Sequence, residues 1–150
     1  PGARRDLALL AVTARQLGRE ELRAWLDELQ VSAAARDVVL AAAVDAPQLA
    51  ERLRAARRPS EVAAAASPAP VEAVAVAGAL GAREPACAWL HELRHVELAI
   101  GGTDLLEAGV PEGPEVGRGL SVALAARLDG ELAPGREGEL AAALAAVARK

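Results

Sequence analysis

Residues 100–120 read I-G-G-T-D-L-L-E-A-G-V-P-E-G-P-E-V-G-R-G-L. Six glycines and two prolines fall in this stretch, inside a chain that otherwise reads as Ala/Leu-rich helix. Glycine and proline are costly within helices, so such a cluster marks a backbone with special demands. The spacing predicts a short helix over 104–108, capped at its start by Thr103 or Asp104, with Asp104 and Glu107 at capping-box spacing. Gly109 suits the left-handed position that ends a helix. Gly113 then suits an N-cap and Pro114 the first helical position, where a missing N–H costs nothing. Gly117 lies one turn further on, where a Cβ is expected to be sterically excluded.

Working outward, the rest of the chain predicts helices only. Core-spaced apolar residues mark 4–17 (Leu7, Leu10, Ala11, Ala14, Leu17) and 19–29 (Leu22, Trp25, Leu26, Leu29). Ser32 is an N-cap for a third helix through 44, and Pro47 opens a fourth to 57, with Leu49 and Leu53 inward. Pro59 and Ser60 end that helix and cap the next, over 61–66. The nearly apolar run 71–80 reads as a helix buried all round, stopped by Gly81. Pro85 opens a helix to 98, with Trp89, Leu93, Val96 and Ile100 inward. A long helix over 114–128 is broken at Asp129-Gly130, and the last spans 137–149, striped by Leu140, Leu144 and Val147. The fold class is therefore all-α, an irregular multi-helix bundle of about eight or nine helices with no sheet. The Ser67-Pro68-Ala69-Pro70 stretch divides it into an N-terminal subdomain, 1–66, and a C-terminal one, 67–150, together one compact unit.

Composition bounds the function. Hydrophobic residues make up 53% and aromatics only 1%, so the core must be aliphatic. No apolar run reaches the ~18 residues of a membrane span, and no signal peptide opens the chain. Cys87 is the only cysteine, which excludes an intrachain disulfide and makes a reducing cytoplasm the expected setting. The net charge of −4 argues against a broadly basic nucleic-acid module. Residues 1–60 nevertheless carry ten Arg against eight acids, so any RNA contact must come from local Arg clusters. The chain starts Pro1-Gly2 and lacks Met, which reads as a piece of a longer protein.

Three constellations carry possible chemistry. His91-Glu92-Leu93-Arg94-His95 fits the H-E-x-x-H zinc pattern, two His at i and i+4 with Glu as general base. A third ligand and a substrate-aligning strand are missing, so a solvated helix face is the competing reading of His91 and His95. The helix start at Gly113-Pro114 offers free N–H groups to a phosphate. Glu112 and Glu115 would repel an anion there, and turn geometry accounts for the glycines equally. Asp104 reads as a cap rather than a catalytic carboxylate. The chain has no Asp-x-Asp pair, no Gly-Ser turn before a strand and no P-loop.

The spacing G-x-D-L-x-x-x-G-x-x-x-G-P-x-x-G-x-x-L, filled by Gly102, Asp104, Leu105, Gly109, Gly113, Pro114, Gly117 and Leu120, resembles the C-terminal helical region of the bacterial tRNA nucleotidyltransferase / poly(A) polymerase family. Leu128-Asp129-Gly130 and Glu139-Leu140 extend the match. Weaker echoes are Arg58-Pro59-Ser60-Glu61 and Leu29-Gln30-Val31-Ser32 before Arg36. The resemblance implies a helical body and tail that cradles the acceptor and TψC arms of tRNA, or another structured RNA. It implies that the catalytic head, with its Mg2+ and CTP or ATP, belongs to another part of the same polypeptide. This chain is then expected to hold no cofactor and to be inactive alone. Duplex RNA is read through shape and phosphates, to which the planar guanidinium fork is suited. The candidate contacts are Arg118 first, then Arg136, Arg94 and Arg127, beside Gly113, Pro114 and Gly117. Arg118 and Arg127 are about 13–14 Å apart along one helix and about 180° around it, so one surface would not use both equally. A helical protein-interaction or self-association module is the alternative, and a small zinc hydrolase the third reading.

Overall fold

The structure, a computed structural model, describes residues 4–148. It is all-helical, 75% helix with no strand among the described residues. Two compact units are formed: Pro1–Arg57 with Glu61–Arg94, and Arg58–Ser60 with His95–Lys150. The division falls after Arg94, not after residue 66, because Ser67–Pro70 is only a short turn. Helices on both its sides share the first unit's core.

In the first unit, α1 (Arg5–Ala14) and α2 (Arg19–Glu28) precede α3 (Ala33–Leu40), which runs through a wide turn at Ala41–Asp45 into α4 (Ala46–Ala55). The break expected before Pro47 is absent. A five-residue widened turn dispenses with the N–H that Pro47 lacks, so the helix continues across it. Ser32 caps α3 as expected, accepting the Ala35 N–H at 3.4 Å. α6 (Val71–Ala77) lies against α1, α3, α4 and α7 (Arg83–His91), which is why Ala73, Val74, Val76 and Ala77 are all buried. Glu72 is buried with them, its carboxylate accepting the Arg4 backbone N–H at 2.7 Å. The stripe expected on α2 is narrower: Leu22 and Leu26 are buried, but Trp25 is 37% and Leu29 54% exposed. α2 packs chiefly on α3, and one neighbour covers only one line of side chains.

The second unit has its own core of Ile100, Leu105, Val110, Ala123 and Ala143, flanked by Leu98, Val116, Leu120, Leu140, Leu144 and Val147. α9 (Pro114–Leu128) packs along α10 (Arg136–Ala148), and α8 (Gly102–Glu107) lies against both. α8 ends in two bonds, Gly109 N–H to Leu106 O at 3.0 Å and Val110 N–H to Leu105 O at 3.0 Å. These satisfy carbonyls the helix leaves open, and they need Gly109 at φ 89°, where a Cβ is penalised. Gly113, at φ 153°, is the N-cap of α9, followed by Pro114 at its first position. The remaining helix, α5 (Pro59–Ala66), begins two residues earlier than expected. Ser60 is therefore inside it, not a cap.

Candidate nucleic-acid interface in the second unit

The framework residues of 100–120 have distinct tasks. The N-cap of α8 is Gly101, not Thr103 or Asp104. Asp104 lies three residues in and reaches back, Oδ2 accepting the Gly101 N–H at 2.6 Å. Its other oxygen pairs with Arg136 at 2.5 Å. The cap partner is thus Gly101 rather than Glu107. Leu105 is fully buried and Leu120 half-buried on the same core. A Cβ on Gly102 would touch Val116 at 3.4 Å.

Gly117 differs from expectation: a Cβ there would meet nothing within 4 Å. Gly119 is the crowded position. A Cβ on it would stand 2.9 Å from Leu105 Cδ2, 3.1 Å from the Ala143 carbonyl oxygen and 3.2 Å from Val147 Cγ2. Gly119 and Ala123, one turn apart, form the strip on which α10 lays Ala143. The spacing of small residues at 119, 123 and 143 is visible in the sequence, but only the approach of α10 distinguishes Gly119 from Gly117.

The four candidate arginines are all engaged. Arg118 pairs with Glu115 at 2.5 Å and donates from Nη2 to the Val147 carbonyl at 3.1 Å. Arg136 pairs with Asp104. Both pairs are exposed on the arginine side, and exposed pairs contribute about 0–1 kcal/mol. Arg127 is different. Its side chain is 17% exposed, and Nε lies 3.0 Å from Oε1 of Glu139, whose side chain is 1% exposed. Arg127 serves the fold and is removed from the candidate surface. Arg94, in the first unit, sits over the Trp89 ring at 5.9 Å from its centroid.

Two buried carboxylates were not anticipated as centres of organisation. Glu139 Oε2 accepts the Ala99 N–H at 2.6 Å, while Oε1 takes Arg127 and the Gly135 N–H at 3.5 Å. One side chain thus holds the entry to α8, the end of α9 and the start of α10. Its signal was legible: Glu139 occupies the same line as Ala143 and Ala146, a charge on a core stripe. Asp129, 5% exposed, accepts the Ser60 N–H at 2.9 Å and the Ser60 hydroxyl at 2.7 Å, and pairs with Arg58 at 2.7 Å. Glu131 takes Arg58 as well. Asp129 caps the start of α5 from 69 residues away, a contact no local pattern announces.

The H-E-x-x-H reading meets a broken helix. α7 ends at His91, Glu92 leaves helical geometry at φ −126° and ψ −65°, and His95 closes a separate 3-10 turn. The expected helix through 98 is absent, and with it the i, i+4 alignment that would aim both imidazoles at one ion. Among the described residues, no three His, Cys, Asp or Glu side chains are grouped to hold a metal. No single helix among them is long and apolar enough to cross a membrane.

The geometry defines an all-helical protein of two units, the second built around a glycine-rich turn and two buried acid clusters. Neither protein-family models, nor curated proteins, nor solved structures match the chain.

Proposed function

We propose that this chain is the RNA-binding helical portion of a tRNA nucleotidyltransferase or poly(A) polymerase-like enzyme, positioning a structured RNA for a catalytic head outside these residues. Positioning alone is a large catalytic contribution, because it removes the entropy of bringing reactants together. One observation carries the reading. Residues of the family-like pattern that are far apart in sequence meet: Arg58 and Ser60 of one echo bond Asp129 of another, and Glu139 of a third holds the entry to the main motif. These contacts join three stretches of the pattern, which supports the reading. Arg118 and Arg136 are the phosphate contacts of this unit. The unit is net acidic and offers few phosphate contacts, so affinity is weak and falls with salt. The test is titration of a tRNA acceptor-stem minihelix at rising salt. Binding that weakens with salt is expected; binding that ignores salt, or none at low salt, refutes the proposal.

A second reading, a protein-interaction or self-association module, is favoured by the exposed Leu9 and Val12 on α1, Trp25 on α2 and Leu29 just past its end. It predicts a stable oligomer by light scattering and indifference to RNA.

A further inference from the structure

Two observations away from the glycine-rich stretch bear on where an RNA strand lies. The first is which arginines are already taken. In the second unit, every described arginine is held by a carboxylate: Arg58, Arg118, Arg127 and Arg136. In the first unit, Arg5, Arg15, Arg23, Arg52, Arg57 and Arg83 are exposed, and their guanidinium groups have no carboxylate partner among the described residues.

The second is a groove. α6, the turn at Gly78–Ala82 and α7 border an open groove of about 580 Å³. Its walls are small and apolar: Ala75, Gly78 and Ala79 on one side, Ala86, Cys87 and Leu90 on the other, with Arg83 on the same wall. Residues 83, 86, 87 and 90 share one helix face, and Glu84 falls outside that set. Gly81 turns the chain at φ 108°, and a Cβ there would stand 3.1 Å from Arg54 Nη1. Arg54 therefore lies beside the Gly81 turn and Arg83 follows it two residues on; of the two, Arg83 lines the groove. The one carboxylate on Arg54 is Glu51, a turn back on an exposed face, a pairing easily exchanged for a phosphate.

We infer that this groove receives the sugar–phosphate backbone of an RNA strand, with Arg83 and Arg54 on the phosphates and the Ala/Gly/Leu walls against ribose and base faces. The inference rests on the RNA-binding reading above and adds a contact surface in the first unit that the sequence pattern did not indicate. Charge selects the occupant: an apolar trough with one guanidinium on its wall, a second beside the adjoining turn and no carboxylate on its walls suits a polyanion that also carries apolar sugar and base faces.

Cys87, the chain's only cysteine, is exposed on the groove wall and supplies the probe. The experiment measures alkylation of the full chain by N-ethylmaleimide with and without the acceptor-stem minihelix at low salt. The minihelix is expected to slow alkylation about fivefold or more. Arg83→Gln and Arg54→Gln are each expected to raise Kd about three- to tenfold and lower the salt slope by about one. Arg52→Gln is the control: without a carboxylate on its guanidinium, but about 200° around α4 from Arg54, it should change Kd less than about twofold. Ala79→Glu, on an exposed wall position, should weaken binding without touching an arginine. If the unmodified chain binds RNA while Cys87 stays unprotected, or while Arg83→Gln binds equally well, the groove is refuted and the RNA-binding reading stands. If the unmodified chain binds no RNA at low salt, the RNA-binding reading fails and the groove inference with it.

Discussion

Gly117 and Gly119 lie two residues apart on α9, and adding one methyl to each should have opposite effects. An alanine is favoured over glycine within a helix by about 0.8–1.0 kcal/mol. At Gly117 nothing opposes that gain, since a Cβ meets open space. Gly117→Ala is expected to stabilise the second unit by about 1 kcal/mol. At Gly119 the new methyl would stand 3.1 Å from the Ala143 carbonyl oxygen, which is backbone of α10, and 2.9 Å from Leu105 Cδ2. A side-chain methyl can turn away; a helix backbone retreats only by moving α10 off α9. Overpacking of this kind costs about 1–3 kcal/mol, so after the propensity gain Gly119→Ala is expected to lose about 0–2 kcal/mol. Gly119→Val adds two further carbons and should lose more than Gly119→Ala. Both tryptophans, Trp25 and Trp89, are in the first unit, so their fluorescence reports that unit alone. Urea unfolding followed by far-UV circular dichroism and by fluorescence separates the two. The midpoint seen by dichroism alone should rise for Gly117→Ala and fall for Gly119→Val, with the fluorescence midpoint unmoved. Gly119→Ala gaining as much as Gly117→Ala would refute the close α9–α10 contact.

Other expectations follow from the buried charges and caps. Glu139→Ala leaves Arg127 and the Ala99 N–H without their acceptor and should cost about 3–5 kcal/mol, whereas the Glu139→Leu/Arg127→Met pair should recover most of that in the same urea assay. Asp129→Ala strands the Ser60 N–H and hydroxyl and should cost about 2–3 kcal/mol by thermal unfolding; Asp129→Asn should cost less. Gln30 holds φ 55° at the end of α2, so Gln30→Gly should raise the fluorescence midpoint by the equivalent of about 0.5–1 kcal/mol. The Arg4 guanidinium holds the Asp6 carboxyl below its ordinary range. A depressed carboxyl stabilises above its unfolded pKa and loses that contribution as pH falls through the folded value. The pair is fully solvated, so Asp6→Asn should flatten the acid limb of the melting curve only slightly, and only at low salt.

Most of the helices were readable because their signals are local. Ser32 caps α3 and Gly109 ends α8 because a hydroxyl or a missing Cβ acts within a few bonds of its own position. The apolar run of α6 and the 3.6-residue spacing of Leu49 and Leu53 likewise place themselves inside, whatever else the chain does. Helix ends that depend on a distant partner were not readable. α5 starts at Pro59 because Asp129, 69 residues on, caps it. The choice between Gly117 and Gly119 belongs to the same class. Both are glycines on one helix, and only the approach of α10 from another part of the chain makes one of them obligatory. The arginines divide in the same way: their number is a property of the composition, but which are free to meet a phosphate depends on which carboxylates folding brings beside them. Periodicity and caps are short-range physics and survive in a string of letters, while crowding, burial of charge and pairing depend on residues far apart in the chain and exist only once it has folded.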